Sequence, residues 1–180
     1  MAKRDKTNIT LGSGKIYLTP YTDTVPTVED LCKAENLLGY IQGGASLEYT
    51  EEPYEEKDDL GLVTKVITTS EEALLKCGLI TWNGTTLQKL IDRCSVTEAS
   101  GKRTVKIGGA GNAQGKNYAI CFHHEDKTDG DLWILIVGRN TAGATLTFAK
   151  DAGSKIEPEF KALPQDENGT LVQLIEEISE

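Results

Sequence analysis

The chain has 180 residues, of which 38% are hydrophobic, and it carries 28 acidic against 19 basic residues, for a net charge of −9. A chain of this length and apolar content can bury a core without metals or disulfides. The acidic balance disfavours specific binding to nucleic acid phosphates or to anionic membranes. An aromatic content of 6% offers no obvious platform for stacking bases or sugars.

The cysteines and the N-terminus bear on where the chain folds. Cys32, Cys77, Cys94 and Cys121 lie far apart and form no Cys-x-x-Cys pair, so we expect buried free thiols in a reducing cytosol. The N-terminus is basic but no apolar segment follows it, which argues against a secretory signal. The longest apolar run, Leu132–Val137, is far shorter than a membrane span. We therefore expect synthesis and folding in a cytoplasm, with no membrane partner.

The N-terminal part predicts an arm, a strand and a short helix. Residues 1–13 are polar and contain glycine, and we interpret them as a flexible arm. Lys15–Tyr21 alternates as a strand does. Val28–Leu38 suits a short helix or a turn, with Thr27 as its N-cap and Gly39 at its end.

The next segment predicts a long hairpin. Gly43–Thr50 is a strand that continues into an acidic run from Glu48 to Asp59, where seven carboxylates accompany a single lysine. Leu62–Ser70 is rich in β-branched residues and alternates in polarity, so it predicts the returning strand. Glu71–Cys77 continues as strand or turn. We expect the acidic run to form the charged, mobile tip of this hairpin.

One helix is predicted after Gly84. Thr85 or Thr86 is its N-cap, and apolar residues recur at the spacing of one helical face, at Leu87, Leu90, Ile91 and Cys94. Such a helix buries one face against a sheet.

Short strands separated by glycine-rich or Asp/Asn turns fill the C-terminal half. We predict Thr170–Ile178 to be a final strand, with a helix as the alternative. The other predicted strands are Arg103–Ile107, Asn117–His124, Asp131–Arg139, Thr145–Ala149 and Ser154–Leu163. Residues 14–180 therefore predict a single mainly-β domain, a β-sandwich or barrel with one packed α-helix and a long charged hairpin loop.

Three segments resemble chemical sites, and each has a simpler structural interpretation. Gly108–Asn117 resembles a phosphate-binding loop but lacks its first glycine, its hydroxyl residue and a following helix, so we expect a β-hairpin loop. His123 and His124 are neighbours on a predicted strand and point to opposite faces, so they cannot share a metal. Cys121 would share a face with His123, but no orienting group accompanies the pair. We expect no catalytic site, cofactor or metal.

The segment from Gly12 to Cys94 resembles the tube, or major tail, proteins of long-tailed bacteriophages. The resemblance covers about half of the chain and follows the order opening strand, glycine turn, strand with a long charged loop, return strand and helix. The matching segments are Gly12–Leu18, Leu38–Tyr49 with the acidic run, Val63–Ile67, Glu71–Leu75 and the helix from Thr85.

The resemblance implies a structural protein rather than an enzyme. It implies a β-sandwich or barrel flanked by a helix, whose copies form hexameric rings that stack into a hollow tail tube. DNA would pass through the tube as non-specific cargo, and the partners would be further copies and other tail proteins such as the tape measure and terminator proteins. The location implied is the virion tail, after synthesis in the cytoplasm of a bacterial host.

Within that interpretation, the acidic run is predicted to be an assembly loop, mobile in the monomer and ordered in the tube. Its carboxylates repel one another and cannot collapse into a core, whereas Pro53 and Tyr54 offer a stiff bend and an apolar contact. The predicted loop residues are Glu48, Glu51, Glu52, Pro53, Tyr54, Glu55, Glu56, Asp58 and Asp59. A solvated loop without a partner is the alternative.

Other functions also fit the composition. Another tail component, such as a terminator, belongs to the same class. A non-assembling cytoplasmic β-rich binding module is the main alternative from a different class, and an enzyme is the third.

Overall fold

The computed structural model describes residues 9–178, and within them the chain is mainly β, as predicted. Nine strands and two short α-helices occur in this range. They are β1 Lys15–Pro20, α1 Val28–Leu31, β2 Leu37–Lys57, β3 Thr64–Leu79, α2 Gly84–Leu90, β4 Cys94–Ala99, β5 Lys102–Ile107, β6 Tyr118–His124, β7 Leu132–Asn140, β8 Glu159–Leu163 and β9 Val172–Glu176.

One antiparallel sheet holds seven of these strands and closes on itself. Its order is β6-β1-β2-β3-β8-β7-β9, and β6 also pairs with β7. Six strands therefore form a closed ring. β7 also pairs with β9 over Leu132–Ile136 and with β8 over Val137–Asn140, both on its other edge. Of the two predicted arrangements, sandwich and barrel, the strand pairing gives a barrel.

The interior of this ring is lined by alternate strand residues. On β3, Ala73, Leu75, Cys77 and Leu79 are buried, whereas Leu74 and Lys76 are only partly buried. This alternation places one side of the strand in the core and the other towards water. The four buried side chains of β3 belong to one hydrophobic cluster, whose other members are Ile16, Leu18, Leu38, Leu87, Leu90, Tyr118, Ile120, Phe122, Ile136, Ile156, Phe160, Ala162 and Leu171. Each fully buried leucine or isoleucine contributes about 2 kcal/mol to folding.

The first helix covers the outer side of β1, β6 and β7. Thr27 caps it as predicted, since its hydroxyl accepts a hydrogen bond from the Asp30 amide at 3.3 Å. Leu31 is fully buried against a second cluster that contains Tyr17, Ala119, Cys121 and Leu135. This packing stabilises a helix of a single turn, which would not form alone.

The predicted helix or turn over Val28–Leu38 was too long. The helix ends at Leu31, and β2 already begins at Leu37. Gly39 lies inside β2 rather than ending a helix, and a Cβ there would lie 2.4 Å from the Thr81 carbonyl oxygen. This glycine is required by the close approach of two chain segments, not by a helix terminus.

The second helix is capped two to three residues earlier than predicted. The Asn83 side chain accepts hydrogen bonds from the Thr85 and Thr86 amides, and the Thr86 hydroxyl accepts one from the Asn83 amide. This reciprocal arrangement is a capping box. Leu87 and Leu90 are buried as expected, but Cys94 begins β4 instead of belonging to the helix.

Two of the predicted C-terminal strands differ from the structure. Thr145–Ala149 has no regular structure, although Leu146 packs against the interior cluster. In the predicted strand Ser154–Leu163, Ile156 forms an isolated bridge with Leu79, and β8 begins only at Glu159. Pro158 explains the interruption, because proline cannot donate a ladder hydrogen bond.

Two segments were predicted to lack regular structure, the N-terminal arm over residues 1–13 and the glycine-rich segment Gly108–Asn117. Residues 1–8 of the predicted N-terminal arm lie outside the described residues, and 9–13 are exposed and irregular. The Ser13 carbonyl accepts a hydrogen bond from His124 Nδ1 at 2.7 Å, which fixes the end of this segment. Gly108–Asn117 is not a hairpin loop as predicted, because it joins β5 to β6, which belong to different sheets.

Candidate assembly surface

The most prominent surface feature is the distal part of the β2–β3 hairpin, residues 48–71, which we call the arm. Every residue in this range is exposed. Its strands pair with each other from Glu48 with Leu74 to Lys57 with Thr64. The ten residues from Glu48 to Lys57 span about 30 Å at the rise of a strand. The arm therefore projects well clear of the barrel.

The predicted loop residues are mostly strand residues, and this corrects the expected long loop. The turn proper contains only Asp58 and Asp59 of the predicted set, whereas the other seven lie on β2: Glu48, Glu51, Glu52, Pro53, Tyr54, Glu55 and Glu56. Carboxylates alternate between the two faces of the strand and reach water on both. Repulsion among them is therefore weaker than their sequence density suggested, and the β-branched β3 supplies a pairing partner.

Two bulges shape the arm. At its base, the chain from Ile41 to Ala45 lies opposite only Leu79 to Cys77, and Gly43 and Gly44 take the required positive φ values of 85° and 80°. Further out, Thr69 is the extra residue on β3. Bulges bend a hairpin and increase its twist, so these positions set the direction in which the arm leaves the barrel.

The arm has two faces because side chains alternate along β2. One face, which we call the Tyr54 face, carries Tyr54 between Glu52 and Glu56, with Ile67 opposite Tyr54. Its polar groups are held in place: the Tyr54 hydroxyl donates to Glu56, and the Ser70 hydroxyl donates to Glu52 at 2.8 Å. This face combines two spaced carboxylates with an apolar centre, and Lys65 lies opposite Glu56 on it.

The other face carries a like-charged pair bridged by a tyrosine. Glu51 and Glu71 lie directly opposite each other, an arrangement that destabilises a hairpin. The Tyr49 hydroxyl lies 2.7 Å from Glu71 Oε2 and 2.8 Å from Glu51 Oε1. These contacts, first to Glu71 and then to Glu51, raise the pKa of Tyr49. Tyr49 therefore remains a neutral donor that offsets the repulsion.

The arm exposes an unusual number of large apolar side chains for a solvated hairpin. They are between 48% and 79% exposed: Tyr49, Tyr54, Leu60, Leu62, Val63, Val66 and Ile67. The outer edges of the arm are also unpaired within the described chain, since β1 pairs with β2 only up to Tyr40 and β8 reaches β3 only at Leu74–Lys76. Free strand edges and clustered apolar groups are typical of surfaces that bind another chain.

A second hairpin, β4–β5, carries the opposite charge. Residues 94–107, which form this hairpin, include three basic residues (Lys102, Arg103, Lys106) and one acidic residue, Glu98. Arg103 and Val105 pack over Gly84 of α2, so the alternate residues Lys102, Thr104 and Lys106 face away from the domain. β4 was not predicted from the sequence, although the Ser100–Gly101 turn, with φ values of 52° and 72°, is a hairpin signal.

The two histidines occupy opposite sides of β6, as predicted. His123 Nε2 lies 2.8 Å from Asp131 Oδ2, and its ring stacks on Trp133 with a centroid distance of 5.0 Å. His124 is buried and bonds to Ser13. Among residues 9–178, no group of three or more His, Cys, Asp or Glu residues could hold a metal ion.

The cysteines are all free, and Cys77, Cys94 and Cys121 are buried, whereas Cys32 is half-buried. Cys121 Sγ lies 3.7 Å from Cys32 Sγ, and this contact, followed by burial, raises the pKa of Cys121. Burial raises the pKa of Cys77 to about 12. These two thiols are therefore protonated at neutral pH and are poor nucleophiles.

Comparison with known proteins adds no family assignment. No protein-family model matches the chain, and no curated protein matches it significantly. Within the described part of the chain, no helix is long and apolar enough to cross a membrane.

Proposed function

We propose that this protein is a structural subunit that assembles with further copies of itself into stacked rings, the tail tube of a bacteriophage or of a phage-tail-like particle. The observation that carries the proposal is the arm: a projecting hairpin with no buried residue, free edges and exposed apolar side chains. The resemblance of Gly12–Cys94 to tail tube proteins supplies the kind of assembly, hexameric rings around a channel for DNA, with tape measure and terminator proteins as neighbours.

The energetics of the arm support a role in assembly. A two-stranded ribbon without a core is marginally stable in water, and each large apolar group left exposed forgoes about 2 kcal/mol of burial. Docking on another subunit would recover part of that free energy and would order the arm. An isolated soluble domain gains nothing from keeping such a hairpin.

The net charge of the arm favours a head-to-tail contact. Residues 48–71 contain eight carboxylates and two lysines, so two arms repel each other and a symmetric arm-to-arm dimer is disfavoured. A contact between two different surfaces of one subunit generates rings or open helical assemblies. This is the geometry that a tube requires.

A shortened arm tests the proposal. Replacing residues 51–71 by Asn-Gly joins the cross-strand partners Thr50 and Glu72 through a two-residue turn that hairpins favour. We expect this variant to melt cooperatively, because none of the removed residues is buried. In sedimentation velocity over a concentration series, the wild type should form large species and the shortened variant should remain a monomer.

A second variant separates contact from length. Replacing Tyr54 and Ile67 by serine keeps the arm and its charge but removes apolar contact area, so it should weaken assembly without abolishing folding. If the shortened variant assembles as the wild type does, the arm is not the assembly element. If the wild type stays monomeric at every concentration and binds a ligand instead, the binding-module alternative is correct.

A further inference from the structure

We propose that the Tyr54 face of the arm docks on the outward face of the β4–β5 hairpin of a second copy, with Glu52 and Glu56 paired to Lys102 and Lys106. The inference rests on the proposed function, to which it adds the two surfaces that meet. It names a second copy of this chain as the occupant of both surfaces.

Charge selects this pair of surfaces. The arm carries six more acidic than basic residues, and the β4–β5 hairpin, residues 94–107, carries two more basic than acidic residues. The chain as a whole is acidic, with a net charge of −9, so a cationic surface is the exception on this molecule. Complementary patches of this kind guide association and exclude wrong pairings.

The two lysines on the outward face of the β4–β5 hairpin have no acidic partner on that face. Arg103 forms an ion pair with Glu98, with 2.6 Å between Nε and Oε1, on the side turned towards α2. The outward side carries Lys102 and Lys106 opposite Ala99 and Ser95. Within residues 9–178 neither lysine forms an ion pair. Both ammonium groups are therefore available to an external carboxylate.

The spacing of the charges matches. Glu52 and Glu56 are four residues apart on one face of β2, and Lys102 and Lys106 are four residues apart on one face of β5. Each pair therefore spans about 13 Å along its strand. Laying one face on the other lets both ion pairs form in a single register, with Tyr54 packed over the small Thr104.

Neighbouring groups reinforce this register. The hydrogen bonds from Tyr54 to Glu56 and from Ser70 to Glu52 already hold the two carboxylates in position, so less side-chain entropy is lost on docking. The contact joins unlike surfaces of two copies, so it propagates head to tail.

Charge reversal tests the contact. Glu52→Lys/Glu56→Lys and, separately, Lys102→Glu/Lys106→Glu should each raise the concentration needed for assembly by about tenfold or more, because attraction becomes repulsion. The quadruple variant, which carries both reversals, should return towards the wild-type value. All variants should melt cooperatively, since every substituted side chain is exposed.

The arm provides a matched control. Glu51→Lys/Glu55→Lys makes the same charge change at the same spacing on the opposite face. Because salt screens charges that are not in contact, this control should change the concentration needed for assembly by less than about threefold from the wild-type value. Sedimentation velocity at fixed salt gives the readout.

If the wild type assembles but the quadruple variant is no better than either double variant, this contact is wrong and self-assembly stands. If the control pair is as damaging as Glu52 and Glu56, net charge alone acts, and the contact is also wrong. A wild type that never assembles overturns both proposals.

Discussion

At the scale of single residues, one glycine decides how closely two strands of the closed sheet approach. Gly138 of β7 pairs with Tyr118 of β6 and with Ala162 of β8. A Cβ at this position would lie 1.9 Å from the Lys161 carbonyl oxygen. Because the neighbour is backbone, it cannot rotate away as a side chain would. Closure of the ring at this seam therefore requires glycine.

We expect Gly138→Ala to lower the free energy of unfolding by about 3 kcal/mol, the cost of forcing an extra methyl group into a packed site. Gly153→Ala is the control, because a Cβ there meets no atom within 4 Å, and it should change the free energy by less than about 0.5 kcal/mol. Equilibrium denaturation by urea measures both. Equal stability of the two variants would show that the seam adjusts without cost.

Residue-level predictions from the sequence succeeded where only one candidate group was present. Thr27 is the sole hydroxyl at its helix start, and it is the cap. Around the start of α2 the chain has three side chains that can cap a helix, Asn83, Thr85 and Thr86, and the sequence does not indicate which of them adopts extended backbone. Asn83 does so, and its single side-chain oxygen reaches both following amides.

At the scale of elements, the turn of the arm is organised by one carboxylate. Asp58 Oδ1 accepts a hydrogen bond from the Val63 amide at 2.7 Å, and Oδ2 accepts one from the Leu60 amide at 3.3 Å. The Val63 contact is the main reason why the pKa of Asp58 lies below its ordinary value of 3.8. The turn therefore favours the ionised form.

This shift predicts how the turn responds to pH. A carboxyl with a lowered pKa in the folded state contributes its stabilisation above the unfolded pKa and loses it as the pH falls through the folded value. The Val63 amide resonance should thus titrate with a midpoint below 3.8. Asp58→Asn should abolish the titration, whereas Asp59→Asn, at the neighbouring turn position, should leave it. A midpoint at or above the ordinary value would contradict the role of Asp58.

Element boundaries were the least predictable feature of the fold. The acidic density between Glu48 and Asp59 suggested a loop, but alternation on a two-sided ribbon separates the charges, and the run forms strand. Thr145–Ala149 has the composition of a strand, yet it pairs with no strand of the described chain, and Leu146 packs against the interior cluster from an irregular segment. Strand propensity describes fit to an available sheet, and the sequence does not indicate which edges are free.

At the scale of the whole molecule, the structure is a closed ring of strands from which an acidic hairpin projects, together with a smaller basic hairpin. The mainly-β class and the existence of the arm were predictable from periodicity and β-branched content. Closure of the sheet was not, because it depends on long-range pairings such as β6 with β7. The basic face of β5 was not predicted, because the side of the hairpin that faces outward depends on which residues α2 covers.

The proposed function requires that copies of this chain build a tube. Negative-stain electron microscopy of the concentrated 180-residue chain tests this requirement, with the arm-shortened variant imaged beside it. We expect hollow tubes or rings of uniform diameter, with the hexameric symmetry implied by the resemblance, in the wild type alone. Dispersed monomers in the wild type at every concentration, or tubes of normal length and stability in the shortened variant, would contradict it.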